Sequence, residues 1–195
     1  MRRILPIIAA ALLAAAPAAA QLTDLLTAPK TLIDRAIEAR STSDIAKDNA
    51  IVVKVNAAMG KLGTIKASTE IYEQRLLVTG IFDDKAVYDR FEREVRAVTG
   101  VRKLYWHVVY LAADDPKRKS LLDWGDTLAL GTKAQARLVG TAGVADVNFR
   151  VAADPFGVVY LLGRARSQEE ATKALARARD GHAVKRVANY VEVRP

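Results

Sequence analysis

LLVTGIFDDKAVYDRFEREVRAVTGVRKLYWHVVYL, residues 76–111, decides the fold. An apolar run ends at a glycine, two aspartates follow, and Val87, Tyr88, Phe91, Val95 and Val98 then recur at helical spacing. That spacing predicts an amphipathic helix, and the run from Val101 to Leu111, rich in valine and aromatics, predicts a strand. The same order returns in VYLLGRARSQEEATKALARARDGHAVKRVANYVEV, residues 159–193. Gly80 maps to Gly163, Val101 to Val184 and Val108 to Val191, each 83 positions on. One offset held through a strand, a helix and a second strand indicates an internal duplication.

Upstream, each copy carries one more helix and a hairpin. In the first copy, Ser41 to Asp44 are cap formers, and Ile51, Val52, Val55, Met59 and Leu62 share a helix face. Ile65–Tyr72 and Arg75–Thr79 read as a hairpin turning at Glu73-Gln74. In the second copy, Leu130, Ala134 and Leu138 mark the helix, and Asn148–Ala153 with Val158–Leu162 mark the hairpin. The expected fold class is therefore α+β, with two tandem α-β-β-α-β modules, each a small sheet packed against two helices. The expected boundaries are a signal peptide at 1–20, an N-terminal amphipathic extension at 21–43, the first module at 44–111, a linker at 112–125 and the second module at 126–195. Gly80, Gly100 and Gly163 are expected to be structural, with Gly80 and Gly163 placed where the chain leaves a strand for a helix.

Arg2 and Arg3, the apolar run Ile4–Leu13 and the small residues Ala18-Ala19-Ala20 form an export-signal pattern with cleavage after Ala20. Its removal lowers 30 Lys plus Arg to 28 against 22 Asp plus Glu, leaving +6. An exported protein of that charge suits an anionic membrane surface better than nucleic acid. The absence of cysteine removes disulfides, thiolate metal sites, a cysteine nucleophile and an acylated cysteine anchor. In the extension, Leu32, Ile33, Ala36 and Ile37 fall at helical spacing. Such a helix suits a membrane surface or docking on its own domain.

The sequence offers no catalytic constellation. The two histidines are His107, in a strand, and His182, near a turn. No nucleotide loop, zinc motif or nucleophile elbow is present. Asp83-Asp84 and Asp114-Asp115 are explained by a helix cap and a linker. No enzyme activity, cofactor or metal is expected. Trp124, Lys133 and Arg137 form the candidate lipid contact, since tryptophan favours the headgroup level and cations favour its phosphates. Trp124 is read as preceding the second module's first helix, where packing between modules is the alternative. Trp106, whose counterpart is Asn189, is read as facing the other module or solvent.

DNAIVVKVNAAM (48–59), RLLVTG (75–80) and GVRKLYWHVVY (100–110), with LGTKAQARL (130–138), GVVYLLG (157–163) and AVKRVANYVEV (183–193), resemble the BON domain family, twice over. The chain departs from the family pattern at Gln74 and Ala183, where glycines are common. The resemblance implies a non-enzymatic periplasmic protein that associates with anionic phospholipid membranes and supports envelope integrity under osmotic or other stress. The alternative is a periplasmic adaptor that binds envelope proteins through exposed sheet or helix faces.

Overall fold

Ser41 accepts a hydrogen bond from Asp44 N and opens helix α1, Thr42–Lys61. The computed structural model describes residues 37–63 and 66–195. The signal peptide, the extension up to Ala36 and Ile65 lie outside them. Strands β1 (Ala67–Tyr72) and β2 (Arg75–Phe82) follow as an antiparallel hairpin. Asp84 caps helix α2 (Lys85–Arg96) by accepting from Ala86 N and Val87 N. Strand β3 (Lys103–Tyr110) then pairs parallel to β2. The second copy repeats this with α3 (Trp124–Leu138), β4 (Phe149–Ala153), β5 (Val158–Ala165), α4 (Gln168–Arg179) and β6 (Arg186–Val193). The described residues hold two three-stranded sheets, ordered β1-β2-β3 and β4-β5-β6.

The duplication reaches the strand register. Leu76 pairs with Leu104 and Gly80 with Val108; 83 positions on, Val159 pairs with Val187 and Gly163 with Val191. In the first strand of each hairpin the offset falls to 82, because Ala67 faces Gly80 while Phe149 faces Gly163. The hairpin loops account for the slip. The first is a two-residue turn with Glu73 and Gln74 at φ +49° and +58°, whereas Asp154 and Gly157 close a longer one.

Alternation along the central strands builds three cores. Leu76, Val78 and Phe82 pack with Ile51, Val55, Phe91 and Val95 under α1 and α2. Val159, Leu161 and Ala165 pack with Leu130, Ala134, Leu138 and the small face Ala171, Ala174, Ala178 of α4. The other faces meet each other: Tyr72 and Leu77 join Val158, Tyr160, Leu162 and Ala188. Helices therefore lie outside two sheets packed face to face, and β2 is buried along its whole length.

Three expectations are corrected. Gly80 and Gly163 lie inside β2 and β5 rather than after them. Each is needed because the start of the preceding strand crosses there. A Cβ on Gly80 would come 2.5 Å from Lys66 O, and one on Gly163 would overlap Asn148 O and approach Phe149 Cα at 3.0 Å. Gly100 does fall after α2, at φ +94°. Trp124 is the first residue of α3, whose cap is Asp123, rather than preceding the helix. Trp106 faces α2, not the other module: its Nε1 donates to Tyr88 Oη at 3.2 Å and its ring lies 5.5 Å from Phe91. Leu104, Trp106 and Val108 share that side of β3, while Tyr105 packs with the core between the sheets. The linker is also more ordered than its polar composition suggests. It contains a 3-10 turn, Pro116–Ser120, and Arg118 donates to Ala112 O at 2.7 Å and to Phe82 O at 3.1 Å.

Candidate functional site

The buried seam between the modules is polar at one end. Arg75 is 1% exposed; its Nη1 donates to Tyr190 O at 2.9 Å and its Nη2 to Gly163 O at 2.7 Å. Tyr72 Oη donates to Asn148 Oδ1 at 3.1 Å. Asn148 also takes Ala39 N at 2.7 Å and donates to Ile37 O at 3.0 Å, so residues 37–39 dock on the second module. Asp48 accepts from Glu73 N and Gln74 N and pairs with Arg40 at 3.0 Å. Burial pushes the Glu38 carboxyl up, but the hydrogen bonds and charge of Arg40 outweigh it and hold the group below its usual range. Most of these groups are engaged by protein partners, although Arg75 Nε is buried without one, and the bonds from one module to the other make the seam structural.

The cations singled out in the sequence lie elsewhere, on α3. Lys133 is exposed and Arg137 half-buried. They line one cleft of about 470 Å³ between α3 and the loop at Gly181-His182-Ala183. Gly181, at φ +146°, lies directly under the Arg137 guanidinium, where any Cβ would overlap it. Arg137 Nη1 is buried and has no hydrogen-bond partner among the described residues. That nitrogen is closed to solvent under the Gly181 loop, so an anion entering the cleft would meet exposed Lys133 and the open part of the half-buried Arg137 side chain. Asp126 also lines the cleft.

Trp124 is not brought into that cleft. It is half-buried and lines a separate hollow of about 210 Å³ with Lys66 and Ile81 of the first module, beside Arg118. Leu122 lines both hollows. The predicted strip thus divides into a cationic pair and an aromatic at the module junction. Sequence reading missed Arg75 and the cleft wall at Gly181-His182. The signal available for the wall was the repeat itself, since His182 sits 83 positions after Thr99, at the other module's equivalent loop. Among the described residues no group of three His, Cys, Asp or Glu side chains is placed to hold a metal ion, and no helix is long and apolar enough to cross a membrane.

A mixed sheet of this order under two helices, built twice and carrying a cationic cleft beside a helix, defines a small α+β module. The BON domain pattern matches residues 126–195. An uncharacterised protein encoded in the gshII 5′ region of Anaplasma centrale is 30% identical over 148 residues, covering 75% of this chain and 95% of that protein. The chain belongs to the BON domain family. Among solved structures, CdsD of Chlamydia trachomatis, described as a structural protein of the type III secretion system, aligns over 75% of this chain and 93% of its own at 12% identity and a TM-score of 0.31. Its C-terminal domain aligns over 74% of this chain and 98% of its own at 10% identity and a TM-score of 0.32.

Proposed function

We propose that both modules are BON domains and that the protein acts without catalysis, binding anionic phospholipid surfaces through the α3 cleft and supporting the cell envelope. The observation that carries this reading is the cleft wall on α3, where exposed Lys133 and half-buried Arg137 face the Gly181-His182-Ala183 loop. A phosphodiester oxygen is a strong acceptor for a guanidinium, and each basic residue near an anionic surface adds on the order of 1 kcal/mol of attraction. Two such residues without an acyl chain give weak, salt-sensitive association. We assign the protein to the periplasm on the n-, h- and c-region pattern of residues 1–20; the mass of the exported protein should begin at Gln21, and retention of Met1 would overturn that assignment.

The test is co-sedimentation with phosphatidylcholine vesicles, with and without phosphatidylglycerol, at low and high salt. Wild type should bind only the anionic vesicles, and less at high salt, where screening shortens to roughly 3 Å at 1 M. Lys133→Glu with Arg137→Glu should abolish binding, with circular dichroism confirming the fold. Binding of wild type to neither vesicle would favour the adaptor reading.

A further inference from the structure

We infer that the first module carries a second anionic-headgroup site, built at the same place in the repeat; the inference rests on the lipid reading above. A cleft of about 550 Å³ lies between α1 and the loop that follows α2. Its rim is Lys47, Lys54 and Arg102, and no carboxylate lines it. The correspondence with the α3 cleft is positional: Lys54 is equivalent to Arg137, Thr99 to His182 and Gly100 to Ala183, each 83 positions apart. Each module thus opens one cleft between its first helix and the loop before its last strand, with a basic side chain from the same helix position in both.

The chemistry of the first cleft fits a phosphodiester. Lys54 Nζ lies 3.0 Å from Thr99 Oγ1, which fixes the ammonium across the mouth and places a hydroxyl beside it. Lys47 meets Asp44 only at 3.7 Å, with both side chains substantially exposed, so the pair is solvated and Lys47 keeps most of its attraction for a further anion. The floor is apolar, from Ile51 and Val101. An apolar floor under three rim cations suits the level where headgroup meets acyl chain, and favours a lipid over a small soluble phosphate. The protein would then hold its membrane at two points, and linked weak sites multiply affinity.

The test uses the full chain with Lys54→Glu and Arg102→Glu, next to Lys133→Glu and Arg137→Glu, on phosphatidylcholine–phosphatidylglycerol vesicles. In parallel, inorganic phosphate is titrated into wild type while the amide shifts of Thr99, Gly100 and Val101 are followed. Each charge-reversed pair should weaken vesicle binding at least about tenfold, and phosphate should shift the three amides. If the first pair leaves vesicle binding at the wild-type level while the second abolishes it, the inference falls and the α3 site stands. If phosphate shifts the amides but the first pair leaves vesicle binding unchanged, the cleft takes soluble phosphates and its assignment to lipid is overturned. Loss of binding only through misfolding is excluded by Lys54→Gln with Arg102→Gln, which removes the charge without reversing it and should still lower affinity.

Discussion

His107 Nε2 lies 2.7 Å from Tyr190 Oη, and the two residues hold the same place in the two copies. Contact between equivalent positions is what a twofold relation between the copies would give, and this pair sits where the two sheets face each other. Further rings surround it: Tyr160 lies 4.4 Å from His107, and Tyr105 stacks on Tyr190 at 4.0 Å. Arg75 breaks the repeat. Its repeat counterpart is Val158, so the bonds from Arg75 to Gly163 O and Tyr190 O are made from one module only.

Arg75→Ala should therefore separate the modules energetically. It leaves two buried carbonyls without their donor and a cavity between the sheets. The expected loss is at least about 3 kcal/mol, by the cost of unpaired buried polar groups and of broken buried charge contacts. Urea unfolding measures it. Arg75→Lys should recover little, because one ammonium cannot reproduce the fork that reaches both carbonyls.

The glycines give opposite outcomes at different places. Gly163→Ala and Gly80→Ala force a Cβ into the backbone of the crossing strand, and each should cost several kcal/mol or prevent folding. Gly60→Ala, in the last turn of α1 with nothing within 4 Å of the added methyl, should stabilise by about 0.5–1 kcal/mol. Thermal melts of the three variants check the series. A folded, unperturbed Gly163→Ala would contradict the crossing geometry.

Much of this was legible in the sequence because a parallel β-α-β unit fixes its own register through its length. The offset of 83 carried the second helix of each copy and the two parallel strands residue for residue, while the first helices differ in length, α1 running Thr42–Lys61 and α3 Trp124–Leu138. It did not carry the first hairpin strands, where loop length sets pairing and a longer loop in the second copy slips the register to 82. The placement of Trp106 was misread from its polar counterpart. Asn189 lies beside Thr172 and Ala176 at the solvated edge of α4, whereas Tyr88 covers the same side of β3 in the first copy. Small residues on one helix changed the environment of an otherwise equivalent position. Which of 30 basic residues would be buried, or left unpartnered like Arg137, was not readable, because composition gives charge but not neighbours.

Two groups at the seam make stability depend on pH in opposite senses. Burial pushes the half-buried Glu70 carboxyl up to about 7, against the opposing charge of Arg150. Its folded value lies above its unfolded one, so its contribution is full below about 4.5 and is lost as pH rises through 7. Glu70→Gln should be more stable than wild type at pH 8, by on the order of 1–3 kcal/mol, and equal to it near pH 4. Burial lowers His107, Asp154 opposes this and Arg186 adds to it. Its contribution is full above about 6.5 and falls as pH drops through the lower folded value. His107→Gln should remove that acid-side loss. Melting temperatures across pH 4–8 for both variants check the signs.

The first hairpin turn stores strain that one carboxylate offsets. Glu73 and Gln74 both sit in the left-handed region, at φ +49° and +58°, where a non-glycine residue costs roughly 1–2 kcal/mol. Asp48, 1% exposed on α1, accepts from Glu73 N at 2.9 Å, Gln74 N at 2.7 Å and Gln74 Nε2 at 2.9 Å. Charge-assisted bonds of this kind are among the stronger ones, so Asp48→Ala should cost about 3 kcal/mol. Gln74→Gly relieves the backbone but gives up the Nε2 bond, and should be near neutral in wild type. In the Asp48→Ala background that bond is already gone, so the same change should stabilise by roughly 1 kcal/mol. A double-mutant cycle by urea unfolding measures this coupling. Additive effects would mean that the carboxylate and the turn are energetically independent, and that the two left-handed residues are held by strand pairing alone.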